Sequence, residues 1–178
     1  DYTENVEYIY SHKDLTYIIG YPDKGVHPNG DLTRAEAAMI FYRLYDGDYP
    51  SFTRRMSNGT FKDVSAKNWF YESLEGKSKD SFAPNAPISR AEFAVLAARF
   101  QNLKYTSGKV FSDVEKGHWA YSHINAASEA GWIQGYPDGT FRPDKEITRT
   151  ETVTLVNSMI NRTVTREKLK ALNVRNPY

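Results

Sequence analysis

Three arginines occupy the same local position in this 178-residue chain. Arg34, Arg90 and Arg149 each directly follow a hydroxyl residue, Thr33, Ser89 or Thr148, and that residue is followed three positions later by Glu36, Glu92 or Glu151. A hydroxyl and a glutamate at this spacing form a capping box. The hydroxyl accepts from an orphan N–H of the first helical turn, and the carboxylate reaches back to the cap residue's own N–H. An arginine just inside such a cap sets a planar guanidinium fork beside the free N–H groups of a helix N-terminus, which makes an anion site. A carboxylate is the anion this geometry serves best. The alternative is an arginine that is solvated, or that pairs with a neighbouring protein carboxylate. A cation at a helix N-terminus opposes the dipole, yet it recurs three times, and this favours the anion site.

Ahead of two of these caps lies a turn-rich loop. Residues 135–151 read GYPDGTFRPDKEITRTE, and residues 20–36 read GYPDKGVHPNGDLTRAE. Proline presets φ, aspartate bonds its own backbone, and glycine tolerates left-handed φ or close approach by a ligand. Gly20, Tyr21 and Asp23, and Gly135, Tyr136, Asp138 and Gly139, therefore shape a loop in which tyrosines can reach sugar hydroxyls and aspartates hold the turn. Trp69 and Trp119 could stack on a pyranose face. A tryptophan opening an amphipathic helix is more commonly a core residue, and the core or a half-buried groove wall is the expected place. Asp63 and Asp113 read as caps or turn formers before their helices.

Other chemistries find little support. There are 23 basic and 22 acidic residues and no cysteine, so neither nucleic-acid binding nor a disulfide framework is indicated. His12, His27, His118 and His123 match no zinc spacing. The PDGTFRPDKE loop resembles a calcium loop only loosely, because Arg142 and Pro143 interrupt the ligand spacing. No nucleophile-elbow or phosphate-loop motif is present, and no pair of carboxylates is singled out for glycoside hydrolysis. The expectation is a non-enzymatic chain with no metal or cofactor and no membrane-inserted segment, its residue Asp1 following a removed leader. Aromatic residues at 14% suit a surface that stacks on sugars as well as an aromatic core.

The elements that must carry these residues repeat at about fifty-residue spacing, the mark of a repeat architecture. Gly20 to Thr33 spans 13 positions, as does Gly135 to Thr148; Phe82 to Ser89 spans 7, as does Phe141 to Thr148. Helices are expected over 4–15, 33–45, 69–77, 90–102 and 119–130, from 149, and over 163–172, joined by a polar linker at 47–60. Those after the caps should bury Ala37, Ile40, Phe41 and Leu44; Phe93, Leu96, Ala97 and Phe100; and Val153, Leu155, Val156, Met159 and Ile160. Helix 119–130 should bury Ala120, Ile124 and Ala127 and end at a left-handed Gly131. The repeats divide at 1–50, 51–106 and 107–162, followed by a short helix and tail at 163–178. The first lacks an F-x-D-V opening of the kind seen at Phe61 and Phe111, and the second lacks GYPDG.

In this order, F-x-D-V, W-A-Y, GYPDGTFRPD and ITR-x-E resemble the surface-layer homology (SLH) repeat of bacterial cell-surface proteins, over nearly all of residues 4–162. The resemblance implies an all-α fold of three two-helix repeats, set in a pseudo-threefold, three-pronged module around a central three-helix bundle. It also implies non-covalent binding of an anionic, pyruvylated secondary cell-wall polysaccharide linked to peptidoglycan. By the same resemblance the module would anchor a larger S-layer or cell-surface protein in the extracellular cell wall. The alternatives are the anchor part of a surface hydrolase, and a structural protein–protein assembly module.

Overall fold

The computed structural model describes residues 17–18, 21, 23, 25–44, 81–105 and 111–162. The helices expected over 4–15, 69–77 and 163–172 lie outside these residues, as do Gly20, Asp63 and Trp69. Among the described residues the chain is all-helical, with α1 over Arg34–Leu44, α2 over Arg90–Phe100, α3 over Tyr121–Glu129 and α4 over Arg149–Met159. These residues form isolated bridges but no strands.

The helices that follow the caps begin where backbone donors are satisfied locally. Ser89 and Thr148 cap α2 and α4, each closing a capping box with Glu92 or Glu151. At α1 the Glu36 N–H donates to Thr33 Oγ1 at 3.2 Å, while the Thr33 N–H donates to the Glu36 carboxylate at 2.9 Å. Helix ends are settled in the same local way. Asn102, Gly131 and Asn161 lie just past α2, α3 and α4 with φ of 51°, 74° and 54°. At each, the next residue's N–H (Leu103, Trp132 or Arg162) donates to the carbonyl five residues back, that of Ala98, Ala127 or Asn157. Asparagine and glycine are the residues that tolerate this left-handed turn.

Each helix buries an apolar face in one shared cluster. It includes Ala37, Ile40, Phe41 and Leu44 of α1, and Leu155, Val156 and Met159 of α4. Residues Phe93 to Ala98 of α2 are buried without a break, so this helix is enclosed on nearly all sides. Phe41 of α1 stacks tilted against Phe93 and Phe100 of α2, each at 5.3 Å between ring centres. Complete burial of Phe93 contributes about 1.5–3 kcal/mol. Helix α3 packs on α2 and buries Ile124 and Ala127. It begins at Tyr121 rather than 119, because a turn over 115–119 precedes it. Ala120 takes the inward position and Trp119 is left 58% exposed. The expectation that Trp119 is core or half-buried is therefore corrected.

What joins the repeats is a closed cycle of backbone hydrogen bonds between equivalent positions. Leu32 donates to Ile147, Ile147 to Ile88, and Ile88 to Leu32, all within 3.1 Å. The first two N–H groups of each capped helix donate to the next repeat's loop: Arg34 and Ala35 to Ala86 and Pro84, Arg90 and Ala91 to Lys145 and Pro143, Arg149 and Thr150 to Gly30 and Pro28. Donors that a helix N-terminus leaves unsatisfied thus become the joints between repeats.

Candidate functional site

The three arginines sit in these joints, and all three are buried: Arg34 1%, Arg90 7% and Arg149 3% exposed. Each makes the same set of contacts with the following repeat. Arg34 Nε donates to the Phe82 carbonyl at 2.8 Å and its Nη1 pairs with Glu92 at 2.8 Å. Arg90 Nε donates to the Phe141 carbonyl at 2.8 Å and its Nη1 lies 3.0 Å from Glu151. Arg149 closes the cycle onto the first repeat, with the Val26 carbonyl at 2.8 Å and Glu36 at 2.6 Å. Each guanidinium also lies over an aromatic ring, of Phe82, Phe141 or Tyr21, at 4.7 to 5.0 Å from the centroid. The residue after each gripped carbonyl, His27, Ala83 or Arg142, has a left-handed φ of 44°, 53° or 58°. A non-glycine residue held there costs roughly 1–2 kcal/mol, and its recurrence ties it to the joint.

The capping glutamates thereby serve two elements at once. Burial pushes the Glu36 carboxyl pKa up, but the Thr33 hydrogen bonds, the Tyr21 hydroxyl at 2.8 Å and the Arg149 charge outweigh it, and the net shift is downward. Glu151 repeats the balance. Burial raises its pKa, while the Thr148 N–H, the Tyr136 hydroxyl at 2.9 Å, Arg90 and Lys145 lower it further, so the carboxylate stays ionised.

The loop residues divide by role. Asp138 accepts from the Thr140 hydroxyl and N–H and pairs with Arg142 at 3.0 Å; these contacts take its pKa down to about 2. Asp23 does the same in the first repeat, with the Gly25 N–H at 2.8 Å and His27 at 2.7 Å. Gly139 turns the chain at φ 79°. Gly135 is needed for space, since a Cβ there would lie 2.5 Å from Phe111 and 2.7 Å from the Thr140 carbonyl oxygen. Asp113 lies in the turn over 111–114 that precedes its helix, but its side chain acts at longer range. Its carboxylate accepts from the N–H groups of Phe141 and Arg142, 28 and 29 residues on, at 2.7 Å each.

Arg90, Gly135, Tyr136 and Glu151 come together in one groove of about 290 Å³, with Trp132 as an aromatic wall and Thr154 and Ser158 along its α4 side. Arg90 spends Nε and Nη1 on the joint, and its second terminal nitrogen has no partner among the described residues. The groove thus offers one spare charged donor, a stacking wall and hydroxyls. Lys145 stands beside it, its Nζ 2.9 Å from the Tyr136 hydroxyl; that hydrogen bond first, despite slight desolvation, and then the Glu151 charge raise its pKa. Trp119 is not part of this groove. Sequence reasoning passed over Trp132, although its register opposite Tyr17 was a usable signal. Tyr17 is buried against α4, with its hydroxyl 2.9 Å from Asn157 Oδ1, and burial raises its pKa to about 12. A second, open hollow of about 530 Å³ is lined by Tyr21, Asp23, His27 and Gly30. Arg142 and Lys145 cover the Tyr136 ring at the equivalent place in the third repeat, where the first repeat has only His27 and Gly30.

The S-layer homology domain model matches residues 4–38, 71–94 and 110–153, more than half of the chain and in three successive segments. The chain belongs to the S-layer homology family. It is 35% identical over 164 residues to a cellulosome-anchoring protein of Acetivibrio thermocellus, covering 82% of this chain and 36% of that protein. It is 32% identical over 166 residues to cell surface glycoprotein 1 of the same organism, covering 82% of this chain and 7% of that protein. An S-layer protein of Bacillus licheniformis is 30% identical over 147 residues, 78% of this chain and 16% of that protein. The chain thus spans about a third or less of each of these relatives. Among the described residues no group of three or more His, Cys, Asp or Glu is placed to hold a metal. No helix there is long and apolar enough to cross a membrane.

Proposed function

We propose that this S-layer homology chain is a non-enzymatic anchor on the bacterial cell surface. It binds, without covalent attachment, an anionic secondary cell-wall polysaccharide linked to peptidoglycan and so holds a larger surface protein to the wall. The observation that carries the reading is the groove between the second and third repeats. There a buried arginine, already held rigid by a carbonyl and a carboxylate, keeps one donor for a ligand beside Trp132 and Tyr136. A guanidinium fixed in advance loses little freedom on binding a ligand carboxylate such as a pyruvyl ketal. The family relationship, with a cellulosome-anchoring protein, a cell surface glycoprotein and an S-layer protein among the relatives, supports the location and the anchoring role.

In this reading the fold is three two-helix repeats, at 1–50, 51–106 and 107–162, in a pseudo-threefold module around a central bundle of α1, α2 and α4. The closed cycle Leu32–Ile147–Ile88 and the equivalent arginine joints support it. Arg90 is the ligand arginine of the third-repeat groove, with Gly135, Tyr136, Asp138 and Gly139 shaping its loop. Arg149 with Tyr21 and Asp23, and Arg34, stand at the corresponding joints.

The test is a pull-down with purified cell-wall sacculi before and after acid removal of the secondary polysaccharide. Retention that is lost with the polysaccharide supports anchoring through the glycan. Retention that survives its removal, or no retention at all, refutes it. In calorimetry with a pyruvylated wall fragment, Arg90→Met removes a charge-assisted hydrogen bond worth ~1.5–3 kcal/mol.

A further inference from the structure

One face of α4 carries a hydroxyl at every fourth position. Thr150, Thr154 and Ser158 are exposed, and all three line the groove that holds Arg90. Residues four apart on a helix stand one above another, so these form a row on the order of 12 Å long.

Each hydroxyl has already committed its proton. Thr150 Oγ1 donates to the Pro28 carbonyl at 2.8 Å, Thr154 Oγ1 to the Thr150 carbonyl at 3.0 Å, and Ser158 Oγ to the Thr154 carbonyl at 3.0 Å. A hydroxyl has one donor and two acceptor lone pairs, so the row presents acceptors to the groove. The arginine brings the opposite chemistry. Arg90 is 7% exposed, and its second terminal nitrogen is a charged donor without a partner among the described residues. Its partner Glu151 directly follows Thr150, so this donor stands at the N-terminal end of the row.

The row belongs to the third repeat alone. The equivalents of Thr150, Thr154 and Ser158 are Ala35, Met39 and Arg43 in α1, and Ala91, Val95 and Arg99 in α2. The arginine joint recurs in all three repeats, so its geometry does not require the three hydroxyls. Helix formation does not call for them either, since threonine and serine are poorer helix formers than alanine, methionine or arginine.

We propose that this groove binds an extended stretch of glycan, several sugars long, and that Thr154 and Ser158 read its length. Arg90 takes a carboxylate at one end, and the α4 hydroxyls accept from hydroxyl or acetamido N–H groups of the sugars that follow. The inference rests on the glycan-binding reading of the Arg90 groove and adds to it a preference for more than one charged sugar. The two ends differ in kind. The arginine contact joins two charges and weakens with salt, whereas hydrogen bonds between neutral groups are not screened.

The experiment is calorimetry of the 178-residue chain with a pyruvylated monosaccharide, and with a wall trisaccharide carrying the same pyruvylated end, at low and high salt. The trisaccharide is expected to bind more tightly by roughly 2- to 12-fold for each hydroxyl engaged. Added salt should weaken both ligands while leaving the ratio between them unchanged. Thr154→Val and Ser158→Ala should each lose their share of the gain and leave monosaccharide affinity unaltered; Thr154→Ser should keep it. Melting curves check that these surface variants are folded. Equal affinity for the two ligands overturns the inference and leaves the anchor reading standing. A gain in affinity with length that both Thr154→Val and Ser158→Ala leave intact overturns it as well. Binding of neither ligand refutes the anchor reading, and this inference with it.

Discussion

Replacing Arg149 with methionine tests what holds the first repeat to the third. The substitution keeps most of the aliphatic volume and removes a guanidinium that donates to the Val26 carbonyl at 2.8 Å and to Glu36 at 2.6 Å. Breaking a fully buried ion pair by removing one partner costs about 3–5 kcal/mol, because the remaining charge stays buried without compensation. Here the Glu36 side chain is 27% exposed and keeps the Thr33 and Tyr21 hydrogen bonds, so part of that cost is relieved. The expected loss is therefore ~2–4 kcal/mol, which for a chain of this size lowers the melting temperature by roughly 4–16 °C. Thermal and urea unfolding followed by far-ultraviolet circular dichroism measure it. Arg149→Lys should recover only part, since an ammonium cannot reach the carbonyl and the carboxylate in one rigid fork.

The same pair gives a pH signature. The folded pKa of Glu36 lies below its ordinary value of 4.5, so its contribution is complete above that value and is lost as pH falls through the folded pKa. Wild type should lose stability over that acid range, and Arg149→Met should lose less. If Arg149→Met melts with wild type and shows the same acid profile, while glycan binding disappears, the arginine is a ligand contact and the clamp reasoning is refuted.

Further outcomes are equally direct. Thr148→Ala removes the N-cap of α4 and should cost ~1 kcal/mol in unfolding, leaving glycan affinity within a few-fold. A large loss of affinity with unchanged melting would instead place the hydroxyl on the ligand. Gly135→Ala drives a methyl into Phe111 and the Thr140 backbone and should cost ~1–3 kcal/mol, read as a lower urea midpoint; an unchanged midpoint would show that the contact yields freely. Asn125 is fully buried in α3 and neither side-chain amide atom has a hydrogen-bond partner among the described residues, so Asn125→Leu should raise stability by ~1–2 kcal/mol. Destabilisation of Asn125→Leu would mean that the amide has a partner.

Much of the scaffold was legible in the sequence. Helix starts rest on side chains three residues apart, Thr33 with Glu36, Ser89 with Glu92 and Thr148 with Glu151, and such short-range bonding follows from residue order alone. The left-handed turn at Gly131 and the apolar faces of α1, α2 and α4 follow from the same local logic. Residue types also left each arginine three possible partners: a bound anion, a neighbouring carboxylate or solvent. They could not show which carboxylate, because Glu92, Glu151 and Glu36 lie 58, 61 and 113 positions from their partners Arg34, Arg90 and Arg149.

Tertiary structure decided the rest. Only the path of the chain brings Asp113 onto the backbone 28 residues later, closes the third repeat onto the first, and leaves one donor of Arg90 facing a groove. It also decided Trp119, whose large apolar side chain argued for burial until the turn over 115–119 moved the helix start by two residues and turned the indole outward. Local hydrogen bonds are selected by neighbours in sequence, whereas a buried charge takes whatever partner the assembled repeats place within reach.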